Sequence, residues 1–271
     1  MSKKHSRWVD LGLQVAAVVL ALMFTTLILV MAGAPPLEAY LNILEGAFDS
    51  VDSFADVLVA WVPLLLTTVG LLATFAAGLW NIGIEGQITL GAIFTTGTLK
   101  MFENSGLPPA LILILAILAG IVGGALWASL VGALKTFGGV NEIFGGLGMN
   151  FVATDLTLWL IFGPWKRPGI GSMSGTQPFS ENLWLPQLSG LRLSPWSVFI
   201  ALLALAIIYL ILQGTYFGLR LKAVGKNIRA AFLLGIPTTR YMMLAFIICG
   251  GMAGLAGARI FLPTAFKRRP K

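Results

Sequence analysis

The 271-residue chain is 57% hydrophobic and only 11% charged, against about a quarter charged in an ordinary soluble domain. Its net charge of +7 sits at the ends of apolar runs rather than on one continuous face, which fits orientation in a membrane and excludes nucleic acid as the partner. With a single cysteine, Cys249, and a single histidine, His5 in the N-terminal tail, an intrachain disulfide, a cysteine metal site and histidine-dependent catalysis are excluded.

Several runs of about 20 residues carry almost no charge, the length that crosses a hydrocarbon core as a helix. They are continuous rather than alternating, which argues against a β-barrel. The expected fold is all-α: a polytopic α-helical membrane protein with about seven spans, forming one transmembrane domain over 1–271. No catalytic group, metal site or cofactor is expected.

Span 1 covers 9–34 and follows Lys3, Lys4 and Arg7, so the N-terminus is expected in the cytoplasm. The run is long for the apolar part of a signal peptide and reads as a retained anchor. Pro35-Pro36 stops it. The segment 37–57 carries Glu38, Glu45, Asp49, Asp52 and Asp56 and no Lys or Arg, which suits the outer side. Leu37, Tyr40, Leu41, Leu44 and Phe48 recur at helical spacing and predict an interfacial helix there.

Span 2 covers 58–79, with a kink expected at Pro63, and span 3 covers 88–101. Between them Asn81, Gly83, Glu85, Gly86 and Gln87 interrupt the apolar run. Two readings stand: a polar turn at the water boundary, or a broken helix lining a solute path. Span 4 covers 111–134 and contains Gly120, Gly123 and Gly124, small residues that let helix backbones approach in lipid. Lys135 and Gly138-Gly139 mark a cytoplasmic turn.

Span 5 runs to Phe162 and brings Asn141, Glu142, Asn150 and Asp155. Asn141 is a natural N-cap. Asn150 suits an interhelical hydrogen bond. Asp155 falls at bilayer depth, where an acid faces a cavity or a partner. The stretch 163–195 is rich in Gly, Pro and Ser and reads as a long outer loop, although Lys166, Arg167 and Arg192 run against the charge rule.

Span 6 covers 196–212 and leads into a basic segment, 214–240, with Arg220, Lys222, Lys226, Arg229 and Arg240. That charge places it in the cytoplasm. Asn227 as N-cap, Gly235 as the C′ residue, and Ala223, Ala230, Ala231 and Leu234 at helical spacing predict an amphipathic helix of about two turns. Such a helix docks into a partner's groove or rests on anionic lipid. Span 7 covers 241–261 and contains Gly250, Gly251, Gly254 and Gly257. Seven spans beginning inside end outside, yet Lys267, Arg268, Arg269 and Lys271 follow. Either span 7 does not fully cross or the chain is cut short.

Asn-Ile-Gly-Ile-Glu-Gly-Gln at 81–87 resembles the signature of permease subunits of bacterial ABC importers, in the simple-sugar and nucleoside branch of the branched-chain amino acid permease family. Val140-Asn141-Glu142 with Met149-Asn150-Phe151 is similar to a second signature of that family. Arg220-x-Lys222-Ala223-Val224-Gly225-Lys226-Asn227 with Ala230-Ala231-x3-Gly235 is similar to its cytoplasmic coupling loop, and Cys249 to Gly257 also matches the branch. Gly145-Gly146 stands where relatives have Ser or Thr.

The resemblance implies a membrane-spanning permease in the bacterial plasma membrane, moving a nucleoside or simple sugar inward by alternating access. It implies four kinds of partner: an ABC ATPase subunit, an extracytoplasmic solute-binding protein, a second copy or related permease, and the bilayer. Arg220, Gly225, Asn227, Arg229, Ala230, Ala231 and Gly235 would then couple to the ATPase, and the 81–87 and 141–155 polar residues would flank the path. No Walker Gly-x4-Gly-Lys-Ser/Thr motif is present, so the energy source lies on another subunit. The resemblance also implies further spans after the seventh, so a truncated product is an expectation. The alternatives are an ion-coupled transporter, with Glu85 or Asp155 as the titrating acid, and a truncated, non-transporting remnant.

Overall fold

The computed structural model describes residues 7–169, 176–188, 191 and 193–262, with backbone alone at Arg7, Trp8, Asp10 and Phe261. His5, the basic residues Lys3, Lys4 and Arg192, and the tail residues Lys267, Arg268, Arg269 and Lys271 lie outside the described residues. The chain forms two compact units, 1–54 and 55–271.

In the first unit, α1 (Arg7–Met31) is apolar on every side and α2 (Pro36–Phe48) is the expected short helix. Pro36 opens α2 at a position whose N–H needs no helical partner. Tyr40 ties the two helices by donating its hydroxyl to Leu22 O at 3.1 Å and sharing a 3.0 Å hydrogen bond with Thr26 Oγ1. None of the α2 residues is buried.

α3 (Val51–Ala76) begins in the first unit and continues into the second. The second unit then adds α4 (Ile84–Phe102), α5 (Pro109–Thr136), α6 (Glu142–Phe162), α7 (Pro195–Gly214), α8 (Tyr216–Lys226), α9 (Ile228–Leu233) and α10 (Thr238–Phe261), with a short 3-10 turn at Glu181–Leu183. Among the described residues six helices are long and apolar enough to cross a membrane: α1, α3, α5, α6, α7 and α10. α4 is the seventh expected span and the exception. It is enclosed by α5, α6 and α10, so Gln87, Thr95 and Thr96 are buried in protein rather than turned to lipid. Thr95 donates to Gly91 O and Ala116 O at 2.8 and 3.2 Å, satisfying its hydroxyl where no water is available.

α4 starts four residues earlier than the sequence predicts, at Ile84 rather than Ile88. Glu85, Gly86 and Gln87 therefore belong to its first turn, and the break is confined to 77–83. The polar side chains had made helix look like interruption. A carboxylate in the first turn instead faces the positive end of the helix dipole.

The centre of the unit is the packing of α4, α5 and α10 through small residues. A β-carbon at Gly254 would lie 3.1 Å from Gly124 Cα and overlap Gly120 O. At that separation two backbones are in direct contact, which lipid-embedded helices use because Leu against Leu gains nothing over Leu against lipid. Gly250 and Gly254 of span 7 thus meet the Gly120 and Gly124 of span 4 that the sequence had marked separately.

Short connections make neighbouring helices antiparallel. One end of the unit gathers the 77–83 turn, the α5–α6 turn and α8–α9. The opposite end gathers the α4–α5 turn, the 3-10 turn and the start of α7.

Candidate functional site

Two adjoining structures occupy the α8–α9 end. The first is a knot of amides. Asn81 and Gln87 are 2% and 0% exposed. Asn81 Nδ2 donates to Gln87 Oε1 at 3.0 Å, and Gln87 Nε2 returns a bond to Asn81 Oδ1 at 2.9 Å. Asn81 Nδ2 also reaches Cys249 Sγ of α10 at 3.0 Å. One helix away, Asn150 of α6 accepts from Gly86 N at 2.8 Å and donates to Ile82 O at 3.0 Å. Its side chain stands in for the backbone bonds missing at the helix break.

Glycine makes this approach possible. A β-carbon on Gly86 would lie 3.0 Å from Asn150 Oδ1 and 2.8 Å from Trp127 Nε1. One on Gly83 would lie 3.0 Å from Gly146 Cα. Gly146, noted in the sequence only as a departure from the family pattern, is thus the surface on which the 81–87 turn rests.

The acids behave differently from the amides. Glu85 and Asp155 are exposed. The α6 face that packs inward carries Gly146, Asn150 and Ala153, and helical periodicity puts Asp155 on the opposite face. Asp155 therefore does not join the knot. Glu142 is nearly buried and pairs with Lys135 across the α5–α6 turn at 2.6 Å. Asn141 caps α6, accepting from Ile143 N at 2.9 Å, as its sequence position predicts.

The second structure is the 214–240 segment. Thr215 caps α8 by accepting from Gly218 N. Asn227 caps α9 by accepting from Ala230 N at 3.0 Å. Gly235, at φ +79°, follows the helix in the left-handed conformation that favours glycine. The basic residues lie outside: Arg220 reaches Tyr241 Oη at 3.4 Å, Lys222 reaches Gln213 Oε1 at 2.8 Å, and Arg229 is exposed.

The two faces of this segment differ sharply. Leu221, Val224 and Ala231 are buried in one apolar cluster with Ala77 and Leu79 of the break and Phe246 of α10. The outer face carries Ile228, Phe232, Leu233 and Leu234, and the last two are 84% and 80% exposed. Sequence reasoning marked Ala223, Ala230, Ala231 and Leu234 and passed over Ile228, Phe232 and Leu233. The adjacent Phe-Leu-Leu triplet after a capped helix was the available signal.

Gly225 joins the two structures. It does not face outward. A β-carbon there would lie 2.9 Å from both Ala77 C and Gly78 N and overlap Ala76 O, while Gly78 itself holds φ +72°. α8 is thereby seated on the backbone turn that leads from α3 into Asn81.

Among the described residues no group of three or more His, Cys, Asp or Glu is placed to hold a metal ion.

A family profile described as "Branched-chain amino acid transport system / permease component" matches residues 53–268. The chain is 32% identical over 260 residues to a glucose ABC transporter permease protein of Haloferax volcanii, covering 92% of this chain and 67% of that protein. It is 29% identical over 248 residues to a guanosine ABC transporter permease protein of Bacillus subtilis, covering 89% and 69%. It is 26% identical over 248 residues to a nucleoside ABC transporter permease protein of Lactococcus lactis, covering 89% and 68%. No solved structure matches the chain.

Proposed function

The chain belongs to the branched-chain amino acid transport permease family, and from that premise we propose that it is the membrane-spanning subunit of an ATP-driven importer for a neutral, oxygen-rich solute such as a nucleoside or simple sugar. As a multi-pass membrane protein among ABC transporter permeases, it needs an energy source on another subunit. In this reading the α8–α9 end lies in the cytoplasm with the N-terminus, and an ATPase subunit docks there. An extracytoplasmic binding protein delivers solute at the opposite end. A second copy or a related permease completes the path.

The observation that carries this reading is the two-faced α8–α9 segment. An exposed Phe232-Leu233-Leu234 patch on a basic helix pair is suited to a hydrophobic groove on a partner. Behind it the contacts are stiff. Ala231 and Val224 press on Ala77 and Leu79. Gly225 touches the backbone of Ala76 to Gly78 with no side chain between. The next polar residue in the chain is Asn81, bonded to Gln87 and through Cys249 to α10.

Displacement of α9 by a closing ATPase would therefore move the α3–α4 turn rather than be absorbed by flexible side chains, because packed interfaces shift between discrete arrangements. The amides then have a mechanical role. They hold the turn, α4 and α10 as one body, while Glu85 and Asp155 stand outside the knot.

Uptake of radiolabelled guanosine or glucose into cells expressing the chain with its ATPase and binding protein tests this. Uptake should persist after a protonophore collapses the proton gradient while ATP is maintained. It should stop when ATP is depleted. Loss of uptake on collapse of the gradient at constant ATP would overturn the ATP-driven reading in favour of ion coupling.

A further inference from the structure

Asn150 ties α6 to the helix break, its oxygen accepting from Gly86 N and its nitrogen donating to Ile82 O. Trp127 of α5 stands over the same glycine. Its Nε1 is buried and has no hydrogen-bond partner among the described residues. A buried donor left idle is costly to the arrangement that leaves it so. Other buried polar atoms also lack partners, but this one has an acceptor close by. A β-carbon built on Gly86 would lie 2.8 Å from Trp127 Nε1 and 3.0 Å from Asn150 Oδ1. The two atoms border one gap without bonding each other, and glycine keeps that gap open.

α6 is loosely held. It packs on α4 and α5, and 17% of its most apolar stretch is buried, against 67% for α10. Where it crosses the break, Gly146 lies on Gly83 with no side chain between them, so nothing interlocks. Its first turn is tied to α5 by the Lys135–Glu142 pair at 2.6 Å, which leaves a pivot at that end. Packed helices step by about 1–2 Å between arrangements. A step of that size, with the amide turning about its last torsion, brings Asn150 Oδ1 to Trp127 Nε1.

We infer that Asn150 is a two-position latch. Its oxygen accepts from Gly86 N in this state and from Trp127 Nε1 in the other, so α6 passes from the break to α5 during transport. Asn150 and Trp127 are positioning residues and act through the helices they join. The exchange trades one bond to that oxygen for another, which keeps the two states close in energy, as a cycle needs. The inference rests on the transport reading only in requiring that the chain cycle, whatever drives it.

Replacing Trp127 with benzothienylalanine tests the latch, because that side chain keeps the two-ring shape and carries sulfur in place of the N–H. The N–H is idle in this state, so the melting temperature of the purified full-length chain should stay within about 2 °C or rise. Initial uptake, with the ATPase and binding protein present, should slow roughly three- to tenfold at saturating solute, the worth of one hydrogen bond. KM should stay within about twofold. Trp127→Phe should show the same loss of rate beside any change in stability. Trp159→Phe, 62% exposed on α6, should change neither rate nor KM.

A melting temperature lowered by the sulfur isostere would make the indole N–H part of the fold in this state and overturn the latch. Normal rates in the isostere and in Trp127→Phe would overturn it too. Uptake that follows the proton gradient rather than ATP would overturn the ATP-driven reading and leave this comparison valid.

Discussion

The amide knot and the α9 tip lie at the same end of the unit and are opposites in construction. The knot is polar and fully enclosed. The tip is apolar and open. Asn81 and Gln87 satisfy each other in the interior, while Leu233 and Leu234 expose most of their surface. A buried polar pair with matched donors and acceptors rigidifies and specifies one arrangement. An exposed apolar tip has no such answer within the unit and is suited to a partner. The contrast separates a residue type's usual reading from its position: here the polar residues are enclosed and paired, and the apolar ones are open.

The largest effect should come from the point where the two meet. Gly225→Leu forces a side chain against the backbone of Ala76 to Gly78. Overpacking of this kind costs about 1–3 kcal/mol where side chains can yield, and here backbone cannot. We expect membrane levels of the variant to fall below about a tenth of the unmodified chain, read by immunoblot of the membrane fraction. Normal levels with normal uptake would break the link between knot and tip.

Next comes the knot. Gln87→Leu leaves the Asn81 amide buried without its partner, at about 1–3 kcal/mol. The double variant Asn81→Leu/Gln87→Leu should cost less than the sum of the two singles, because no orphan remains. Thermal unfolding across the double-mutant cycle measures this. Additive costs would show that the pair does not act as a unit.

The tip should respond in the reverse way. Phe232→Ser with Leu233→Ser removes exposed apolar surface, so stability should stay within about 0.5 kcal/mol while uptake falls at least tenfold. A parallel loss of both would make the tip part of the fold. The smallest effect belongs to the exposed acids. Glu85→Gln and Asp155→Asn should leave uptake within about twofold, since an ATP-driven importer needs neither acid to titrate and neither joins the amide knot. Loss of uptake in either would restore that acid as a titrating group.

Much of this was legible in the sequence because it is local. Apolar runs gave the spans, Asn227 and Gly235 bracketed α9, and Asn141 announced the start of α6. What was not legible depends on contacts distant in sequence. Nothing near Gly225 says that it lies on Gly78. Nothing near Asn81 names Cys249. For the same reason Gly225 and Ala231 read as outward docking residues, when both face inward. The start of α4 was placed late because Glu85 and Gln87 were weighed by polarity rather than by position in a first turn. Arg259 drew no attention, since one arginine in a Gly-rich helix signals nothing until it is seen to be buried.

The central claim is that the outer face of α9 docks on an ATPase subunit, and cysteine crosslinking tests it most directly. Cys249 is fully buried, so Leu233→Cys introduces one accessible thiol among the described residues. With the ATPase subunit present in membranes and carrying cysteines along its candidate groove, a short bifunctional maleimide should join the two chains. The yield should change between ATP-bound and ATP-free states. Crosslinking should fail from Val9→Cys, an exposed position in the first unit. An ATPase that joins Val9→Cys as readily as Leu233→Cys, or neither, would contradict the account.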